Sequence, residues 1–235
     1  MHSHSIPEKS SLLAAGQVVG SVIDAASLAL AGSPEVADLC DLVEFRADAL
    51  AADPAAVAQA MDACPVPALL TVRDPAEGGI GNLTSPARQA LFSQLLPHAN
   101  VLDVEIANLA EFPGLLEDAK RHGILVVASF HDFKGTPDLD WLLSRIYAAK
   151  SAGADVVKLA TTTNTQSELV GLSALQDISV LPMATMGMGS LGRVSRLLLA
   201  TLGSVLNYGY LDRPTIAGQW PARRLRELIQ ELRTG

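Results

Sequence analysis

The feature of this sequence that most limits its fold is a regular alternation between two kinds of segment. Apolar runs of strand length are separated by longer stretches whose hydrophobic period, about 3.6 residues, is that of an amphipathic helix. The predicted strands cover residues 17–23, 42–45, 68–72, 101–105, 124–130, 156–159, 180–185 and 205–208. Strands that alternate with helices are typical of a parallel sheet covered by helices.

The predicted helices lie between those strands. They cover residues 54–64, 85–96, 111–121, 138–152, 166–175, 191–202 and 221–232, with a further short helix at 34–39. We interpret residues 12–31 as a strand and its following loop, because Asp24 and two glycines interrupt the apolar run. Strands that are each followed by a helix predict an α/β fold in which residues 12–235 form a single-domain (β/α)8 TIM barrel. An open doubly wound sheet is the alternative, and residues 1–11 are expected to form a flexible tail.

The composition argues against several classes of protein. With 235 residues and 49% hydrophobic content, the chain can bury a substantial core, so a disordered chain is not expected. The net charge of -8 argues against nucleic acid or an anionic membrane as the main partner. The first residues lack the basic stretch and apolar block of a signal peptide, and Cys40 and Cys64 suit buried free thiols. We therefore expect a cytoplasmic protein.

Charged and polar residues stand at the carboxyl ends of the predicted strands. They are Glu44 and Arg46, Arg73, Asp103 and Glu105, His131 and Asp132, and Lys158. The carboxyl ends of barrel strands share one face, where active sites of this fold are built. For any one of these residues a structural ion pair is the simpler interpretation. The whole set favours a functional site.

Lys158 constrains the chemistry most, because it lies inside the apolar run GADVVKLATT at 153–162. Lysine is among the residues least often buried, since its charged form loses solvation there. A lysine must lose a proton to act as a nucleophile. Burial beside Val156, Val157 and Leu159, together with nearby cations, would favour that neutral form. The alternative is a side chain that extends to solvent at the barrel rim.

Several short motifs, taken in order, resemble the type I 3-dehydroquinate dehydratases. They are EFRAD at 44–48, TVRDPAEGG at 71–79, LDVEIA at 102–107, SFHDFKGTP at 129–137, DVVKLA at 155–160, MGMGSLGRVSR at 186–196 and TIAGQ at 215–219. The resemblance covers nearly the whole chain. It implies an eight-fold βα barrel, usually a homodimer, that converts 3-dehydroquinate to 3-dehydroshikimate in the shikimate pathway.

The resemblance also implies a role for each matching residue. Lys158 would form an imine with the substrate ketone, and His131 would act as general acid and base with the support of Glu77. Arg196 would bind the substrate carboxylate as a two-pronged donor. Residues near the ring hydroxyls would be Glu44, Arg46 and Arg73, and a loop closing over the carboxylate would carry Thr215 and Gln219.

That closing loop departs from the family at two positions. The family commonly has Ser-x-Pro-Gly-Gln, whereas this chain has Thr215, Ile216, Ala217, Gly218 and Gln219. Threonine keeps the hydroxyl. Alanine lacks the φ restriction of proline, so the free loop has more conformations to lose when it closes.

Two other functions fit parts of the sequence. One is a different Schiff-base lyase of the aldolase type, in which the glycines of MGMGSLG would cradle a phosphate. The other is a non-catalytic barrel that keeps the pocket for binding. No metal or redox cofactor is expected, because no histidine or cysteine pair has metal-ligand spacing, and Gly187 and Gly189 follow the seventh strand rather than the first.

Overall fold

The computed structural model describes residues 9–112 and 114–234. Eight parallel strands in these residues form one sheet with the order β7-β6-β5-β4-β3-β2-β1-β8. The strands are β1 Gln17–Val22, β2 Leu42–Arg46, β3 Ala68–Thr71, β4 Val101–Glu105, β5 Leu125–Asp132, β6 Val156–Thr162, β7 Met183–Met188 and β8 Leu206–Tyr210. Consecutive strands are neighbours, and the first strand pairs with the last.

The first helix precedes β1, and the other helices follow the strands and cover the outside of the sheet. They are α1 Lys9–Leu12, α2 Ala25–Ala31, α3 Pro54–Ala63, α4 Ser85–Leu95, α5 Leu115–Arg121, α6 Leu139–Ser151, α7 Gln166–Ile178, α8 Gly192–Thr201 and α9 Ala222–Thr234. Short 3-10 turns occupy Pro34–Asp38, Pro75–Glu77, Leu96–His98 and Ile106–Asn108. In the part of the chain that is described, no helix has the length and apolar character needed to cross a membrane.

The sheet closes into a barrel at the seam between β7 and β8. The Val205 N–H donates to the Met183 carbonyl at 2.8 Å, and the Thr185 N–H donates to Ser204 Oγ at 3.1 Å. Ser204 is fully buried. Its hydroxyl accepts the Thr185 N–H, which in the rest of the sheet would donate to a carbonyl of the neighbouring strand. The prediction of a single-domain (β/α)8 barrel is confirmed, and the open doubly wound alternative is wrong.

Alternation along the strands divides the side chains between two cores. One core lies between the sheet and the helices and contains residues such as Val43, Phe45 and Leu102. The other fills the barrel and takes one apolar residue from the start of several strands: Val19, Leu42, Leu69, Val101 and Leu125. Because side chains alternate with a period of two, the inward positions two residues further on belong to Ser21, Glu44, Thr71 and Asp103. The barrel interior is therefore apolar at the amino end and polar at the carboxyl end.

Several predicted boundaries differ from the structure. Strand β7 begins at Met183 rather than 180, because Pro182 precedes it, and β5 and β6 continue through the polar residues that follow their apolar runs. The helix expected over 111–121 begins at Leu115, and the segment expected as a helix at 34–39 is a 3-10 turn. Most of the predicted tail, residues 1–8, lies outside the described residues.

Helix α2 was missed in the sequence, where residues 24–31 were expected to be a loop. Its start is a capping box: the Ser27 N–H donates to Asp24 Oδ1 at 2.9 Å, and the Asp24 N–H donates to Ser27 Oγ at 3.2 Å. Asp-x-x-Ser provides acceptors for the same two backbone N–H groups as the commoner Ser-x-x-Glu capping box. Cys40 and Cys64 are buried free thiols, as expected.

Replacing Ser204 with alanine is expected to destabilise the barrel by about 1 to 3 kcal/mol, because the buried Thr185 N–H at the seam loses its acceptor. Chemical denaturation measures this change in the free energy of unfolding. Ser93→Ala is the matched control, since the exposed Ser93 hydroxyl only donates to a carbonyl of its own helix. Equal stability of the two variants would contradict the proposed role of Ser204 in closing the seam.

Candidate active site

The carboxyl ends of the strands surround a cavity that contains all of the predicted site residues. Its lining includes Glu44, Arg46, Arg73, Glu77, His131, Lys158, Arg196, Thr215 and Gln219. These residues come from four strands or strand ends, one 3-10 turn, one helix and one loop. The sequence therefore identified residues that the fold brings together, although their roles stay predictions.

Lys158 lies at the floor of the cavity and is buried, with 3% of its surface exposed. Its Nζ donates to Asp103 Oδ2 at 2.9 Å and lies 3.6 Å from Glu44 Oε1. The ring centroid of Tyr208 is 4.0 Å from the same nitrogen. Two carboxylates and an aromatic face thus stabilise a positive charge at this atom.

The amine is buried as expected, and a cation, Arg73, shares Asp103 with it, but two of the three apolar sequence neighbours face away from it. Val157 and Leu159 belong to the core between sheet and helices, because they alternate with Lys158 along β6. Only Val156 faces the barrel interior with the lysine. The charged groups in direct contact with Nζ are carboxylates, so the site is arranged to hold a cation rather than to repel one.

Hydroxyl groups hold the Glu44 carboxylate in place. Ser21 Oγ donates to Glu44 Oε2 at 2.8 Å, and Thr71 Oγ1 donates to Glu44 Oε1 at 3.0 Å. These donors come from the neighbouring strands β1 and β3, at the inward positions set by strand alternation. The carboxylate therefore has a fixed orientation beside Lys158 before any ligand binds.

Arg73 connects the two acidic residues of β4. Its NH2 lies 3.0 Å from Asp103 Oδ1, and its NH1 lies 2.8 Å from Glu105 Oε1. Burial alone would raise the pKa of Asp103, but the Arg73 guanidinium and Lys158 outweigh it and lower that pKa to about 2. Burial opposes the charge of Arg73 as well, yet Asp103 and Glu105 raise its pKa above the ordinary arginine value. Asp103 and Arg73 therefore stay ionised throughout the physiological pH range.

His131 and Glu77 face each other at the side of the cavity. Glu77 Oε2 accepts the backbone N–H of His131 at 2.9 Å and lies 3.0 Å from His131 Nδ1. Glu77 belongs to the 3-10 turn after β3, and His131 belongs to the end of β5. Because Oε2 already accepts one N–H group, the arrangement favours a second N–H donated from Nδ1, which leaves Nε2 as a free base.

The pKa values of this pair move in the opposite directions from those of an ion pair. Burial raises the pKa of Glu77 to about 7, although Arg73 opposes the shift. Burial, Arg73 and then Lys158 lower the pKa of His131 well below its ordinary value. The contact is therefore a hydrogen bond to a neutral imidazole, and the pair changes its proton content near neutral pH at the carboxyl group.

Arg46 is held at the cavity wall by Asp48. Its Nε and NH2 donate to the two oxygens of Asp48 at 2.9 and 2.8 Å, and NH2 also donates to the Gly78 carbonyl at 3.1 Å. Asp48 further accepts the backbone N–H groups of Arg73 and Ile80. The Glu-x-Arg-x-Asp motif thus fastens the loop that carries Glu77.

Arg196 is the buried cation of the site that lacks a carboxylate partner among residues 9–112 and 114–234. Its NH1 donates to the Tyr208 carbonyl at 2.8 Å, and its Nε has no hydrogen-bond partner there. Burial lowers the pKa of Arg196 to about 10, which still leaves it charged at neutral pH. A buried guanidinium with an unused donor is suited to bind an anionic group of a ligand.

The loop after β8 lines the same cavity as Arg196 and is organised around the side chain of Gln219. Gln219 Oε1 accepts the Thr215 N–H at 2.7 Å, the Thr215 hydroxyl at 3.0 Å and the Ile216 N–H at 3.3 Å. Gly218 has a φ of 87° and packs against Gly192 at the start of α8, where a Cβ atom would clash with its backbone. The loop is therefore ordered by its own hydrogen bonds, with Ala217 exposed in the place of proline.

Sequence reasoning noted Asp103 at a strand end but assigned it no role, and it missed Tyr208. The period of two along β4 was a usable signal for Asp103. Nothing in the sequence distinguished Tyr208 from other aromatic strand residues. Met186 and Met188 also line the cavity. The described residues contain no group of histidine, cysteine or acidic side chains that could hold a metal ion.

Comparisons with known proteins agree with the fold and with the motifs. A family model for the type I 3-dehydroquinases matches residues 21–234. A 3-dehydroquinate dehydratase from Methanocella arvoryzae is 35% identical over 198 residues, which cover 82% of this chain and 86% of the relative.

Solved structures are similar over nearly the full length of this chain. The 3-dehydroquinate dehydratase of Geobacillus kaustophilus superimposes with a TM-score of 0.81 at 25% identity, covering 93% of this chain and 91% of that one. The enzyme of the same name from Enterococcus faecalis gives a TM-score of 0.79 at 28% identity, with coverage of 93% and 94%.

The tautomer of His131 is expected to change with the protonation of Glu77. Above pH about 7 the carboxylate accepts Nδ1–H, whereas below that pH the protonated carboxyl donates to Nδ1 and the proton of the imidazole moves to Nε2. Nitrogen-15 NMR of the imidazole measures this switch. Glu77→Gln is expected to keep the Nδ1–H form at every pH, because an amide oxygen in the same place does not titrate. A full imidazolium titration near pH 6.5 in the unaltered protein would contradict the arrangement.

Proposed function

This chain belongs to the type I 3-dehydroquinases, and we propose that it removes water from 3-dehydroquinate through an imine on Lys158, with His131 moving the protons. The observation that carries the proposal is the position of Lys158 Nζ. It is a buried primary amine at the active-site face of the barrel, held by Asp103 and Glu44 beside the cavity that His131 also lines. The product of the elimination is 3-dehydroshikimate.

The first step forms the covalent intermediate. The Lys158 ammonium gives one proton to His131, and the neutral nitrogen attacks the ketone carbon to form a carbinolamine, in which a second proton passes from nitrogen to oxygen. His131 then returns its proton to that hydroxyl, which leaves as water to give a protonated imine. The Asp103 carboxylate, 2.9 Å from Nζ, and Glu44 balance the positive charge of that imine as they balance the ammonium. The Tyr208 ring offers the same cation an aromatic face.

The second step is the elimination of water. His131 Nε2 takes a proton from the carbon next to the imine carbon, and the electron pair moves toward the nitrogen to form an enamine. The enamine then expels the hydroxyl group, which receives the proton from His131 and leaves as water. Because one imidazole serves both bonds, the proton and the hydroxyl leave from the same face of the ring. Water finally hydrolyses the product imine and frees Lys158.

Substrate binding is assigned to the remaining polar residues of the cavity. The unused Nε of Arg196 supports its role as the carboxylate ligand, and the amide nitrogen of Gln219 would be a second donor to that carboxylate. Thr215 stays attached to Gln219 as part of the lid. The residues placed near the ring hydroxyls are Glu44, Arg46 and Arg73, all at the cavity wall.

The aldolase alternative loses its main support. A Cβ atom at Gly187 would lie 2.6 Å from Ser195 Oγ, and one at Gly189 would lie 2.6 Å from Asn164 Oδ1. These glycines therefore make room for neighbouring side chains rather than for a phosphate. A barrel that only binds ligands would not need the orientation of His131 by Glu77.

We also propose the assembly and setting that the family resemblance implied, which are a homodimer in the cytoplasm acting in the shikimate pathway. Large apolar side chains exposed on the neighbouring helices α7 and α8 and directly after α8 support a second copy as the partner. They are Val170, Ile178, Val194, Leu198 and Leu202. The substrate is the other partner, and neither nucleic acid nor a membrane is required.

Borohydride added together with substrate is expected to inactivate the enzyme and to leave a mass on Lys158, because it reduces the imine to a stable amine. Peptide mass spectrometry locates the modification. His131→Ala is the matched variant: it should still be labelled at Lys158, while turnover falls by a factor on the order of a hundred or more. A label on another lysine, or no label, would refute the imine. Near-normal turnover in His131→Ala would refute the proton carrier.

The lid can be tested with a substitution that keeps its internal hydrogen bonds. Gln219→Glu retains an oxygen for the two loop N–H groups and the Thr215 hydroxyl, but replaces the amide donor with a negative charge. The Michaelis constant is expected to rise roughly ten- to a hundredfold, the size of a lost hydrogen bond to a charged group, with a smaller change in kcat. Steady-state kinetics with Thr215→Val as the control measures this. An unchanged Michaelis constant in Gln219→Glu would show that Gln219 does not contact the substrate.

A further inference from the structure

Arg88 is a fully buried arginine that the proposed mechanism does not use. It belongs to α4, on the outer side of the sheet, and it does not line the cavity. Its guanidinium binds three residues on two segments, which are the residues just after β3 and the end of β4. Nε donates to the Val72 carbonyl at 3.0 Å, NH1 pairs with Asp74 Oδ2 at 2.8 Å, and NH2 pairs with Glu105 Oε2. A buried arginine whose three nitrogens all donate hydrogen bonds holds its partner residues in fixed positions.

The contact with Glu105 leads into the active site. Glu105 uses its other oxygen, Oε1, to accept Arg73 NH1 at 2.8 Å and the Asp74 N–H at 3.0 Å. Arg73 in turn pairs with Asp103, which pairs with Lys158. Glu105 is therefore shared between one arginine inside the barrel and one outside it.

The contact with Asp74 leads to the turn that carries Glu77. Asp74 caps this 3-10 turn, since its Oδ1 accepts the Ala76 N–H at 2.7 Å. The Asp74 carbonyl accepts the N–H groups of Glu77 and Gly79 at 3.0 and 2.8 Å. A change at Asp74 would thus move the carboxylate that orients His131.

We propose that Arg88 is a positioning residue for the reaction, which holds Glu105 and Asp74 so that Arg73 and Glu77 keep their places beside Lys158 and His131. The inference rests on the proposed function, because it assigns Arg88 an effect on the groups that carry the chemistry. Arg88 touches neither the cavity nor the reacting atoms. It acts on Asp74 at the start of the β3–α4 connection and on Glu105 at the end of β4.

Charge balance explains why the effect should reach the His131–Glu77 pair. The network contains three cations and four carboxylates, namely Lys158, Arg73 and Arg88 with Glu44, Asp103, Glu105 and Asp74. The charged groups that act on the pair are Arg46 from β2, Arg73 after β3, Asp103 and Glu105 from β4, and Lys158 from β6. Without Arg88, Asp74 and Glu105 lose a cationic partner, and Arg73 alone must balance the negative charge of the carboxylates near it. The potential at the pair becomes more negative, which favours its protonated form.

The test is the pH dependence of kcat/KM for dehydration in Arg88→Met and Arg88→Lys. The base form of the pair is needed, so activity rises with pH as the pair loses its proton. Removing the positive charge should move this rise to higher pH by on the order of half a unit to one unit, a shift expected for one charge in a partly buried network. Arg88→Lys keeps the positive charge, so its kcat/KM should rise with pH over the same range as in the unaltered enzyme.

A variant with a purely structural effect provides the control. Leu95→Ala lies in the same helix, is fully buried, and removes apolar contacts without touching the network. It should lower thermal stability and leave the pH profile in place. Asp74→Asn removes a negative charge but keeps the turn cap, so it should move the rise to lower pH. This variant decides the question if Arg88→Met does not fold.

An unmoved profile in Arg88→Met, or in Asp74→Asn where Arg88→Met does not fold, would overturn the inference. The same shift in Leu95→Ala would also overturn it, because the shift would then follow stability alone. Failure of the proposed function looks different, since borohydride would then leave no mass on Lys158 of the unaltered enzyme. Trapping at Lys158 with an unmoved profile in Arg88→Met would refute the role of Arg88 alone.

Discussion

A line of buried, alternating charges at the barrel mouth is the constraint on which the rest of the site depends. Asp103 lies between Lys158 and Arg73, and Glu105 lies between Arg73 and Arg88. A buried charge without a partner destabilises the folded protein by several kcal/mol. Each charged residue of the line therefore depends on its oppositely charged neighbours. The line joins β6, β4, the end of β3 and helix α4, and it therefore fixes the relative positions of the elements that hold the reacting groups.

Much of this arrangement could be predicted from the sequence, because it follows from two periodicities. The strand and helix pattern predicted the barrel, and the positions of Glu44, Asp103 and Lys158 toward the carboxyl ends of their strands predicted that they lie at one face of it. The period of two along the strands accounts for their common direction into the barrel. The boundaries failed where the site itself begins. His131 and Asp132 extend β5, and Thr161 and Thr162 extend β6. Because these residues are polar, they interrupt the apolar pattern from which the strands were predicted.

The parts that could not be predicted depend on contacts between distant segments. Arg88 looks like a surface charge of an amphipathic helix, and only the folded chain brings it to Val72, Asp74 and Glu105. The surroundings of Lys158 were misjudged for the same reason. Its sequence neighbours are apolar, but alternate residues face the other core, and the carboxylates that it meets come from β2 and β4.

The free-energy cost of burying this polar layer indicates that it serves the reaction rather than the stability of the fold. Buried ion pairs are seldom more stabilising than apolar residues of similar size, and the same barrel fills its amino end with valine and leucine. Charges replace them in the layer that surrounds Lys158. In the proposed mechanism the nitrogen of Lys158 is a cation both as the resting ammonium and as the protonated imine. Asp103 and Glu44, already held by Arg73, Ser21 and Thr71, can then balance either form without moving, which is the condition under which fixed dipoles and charges assist a reaction most.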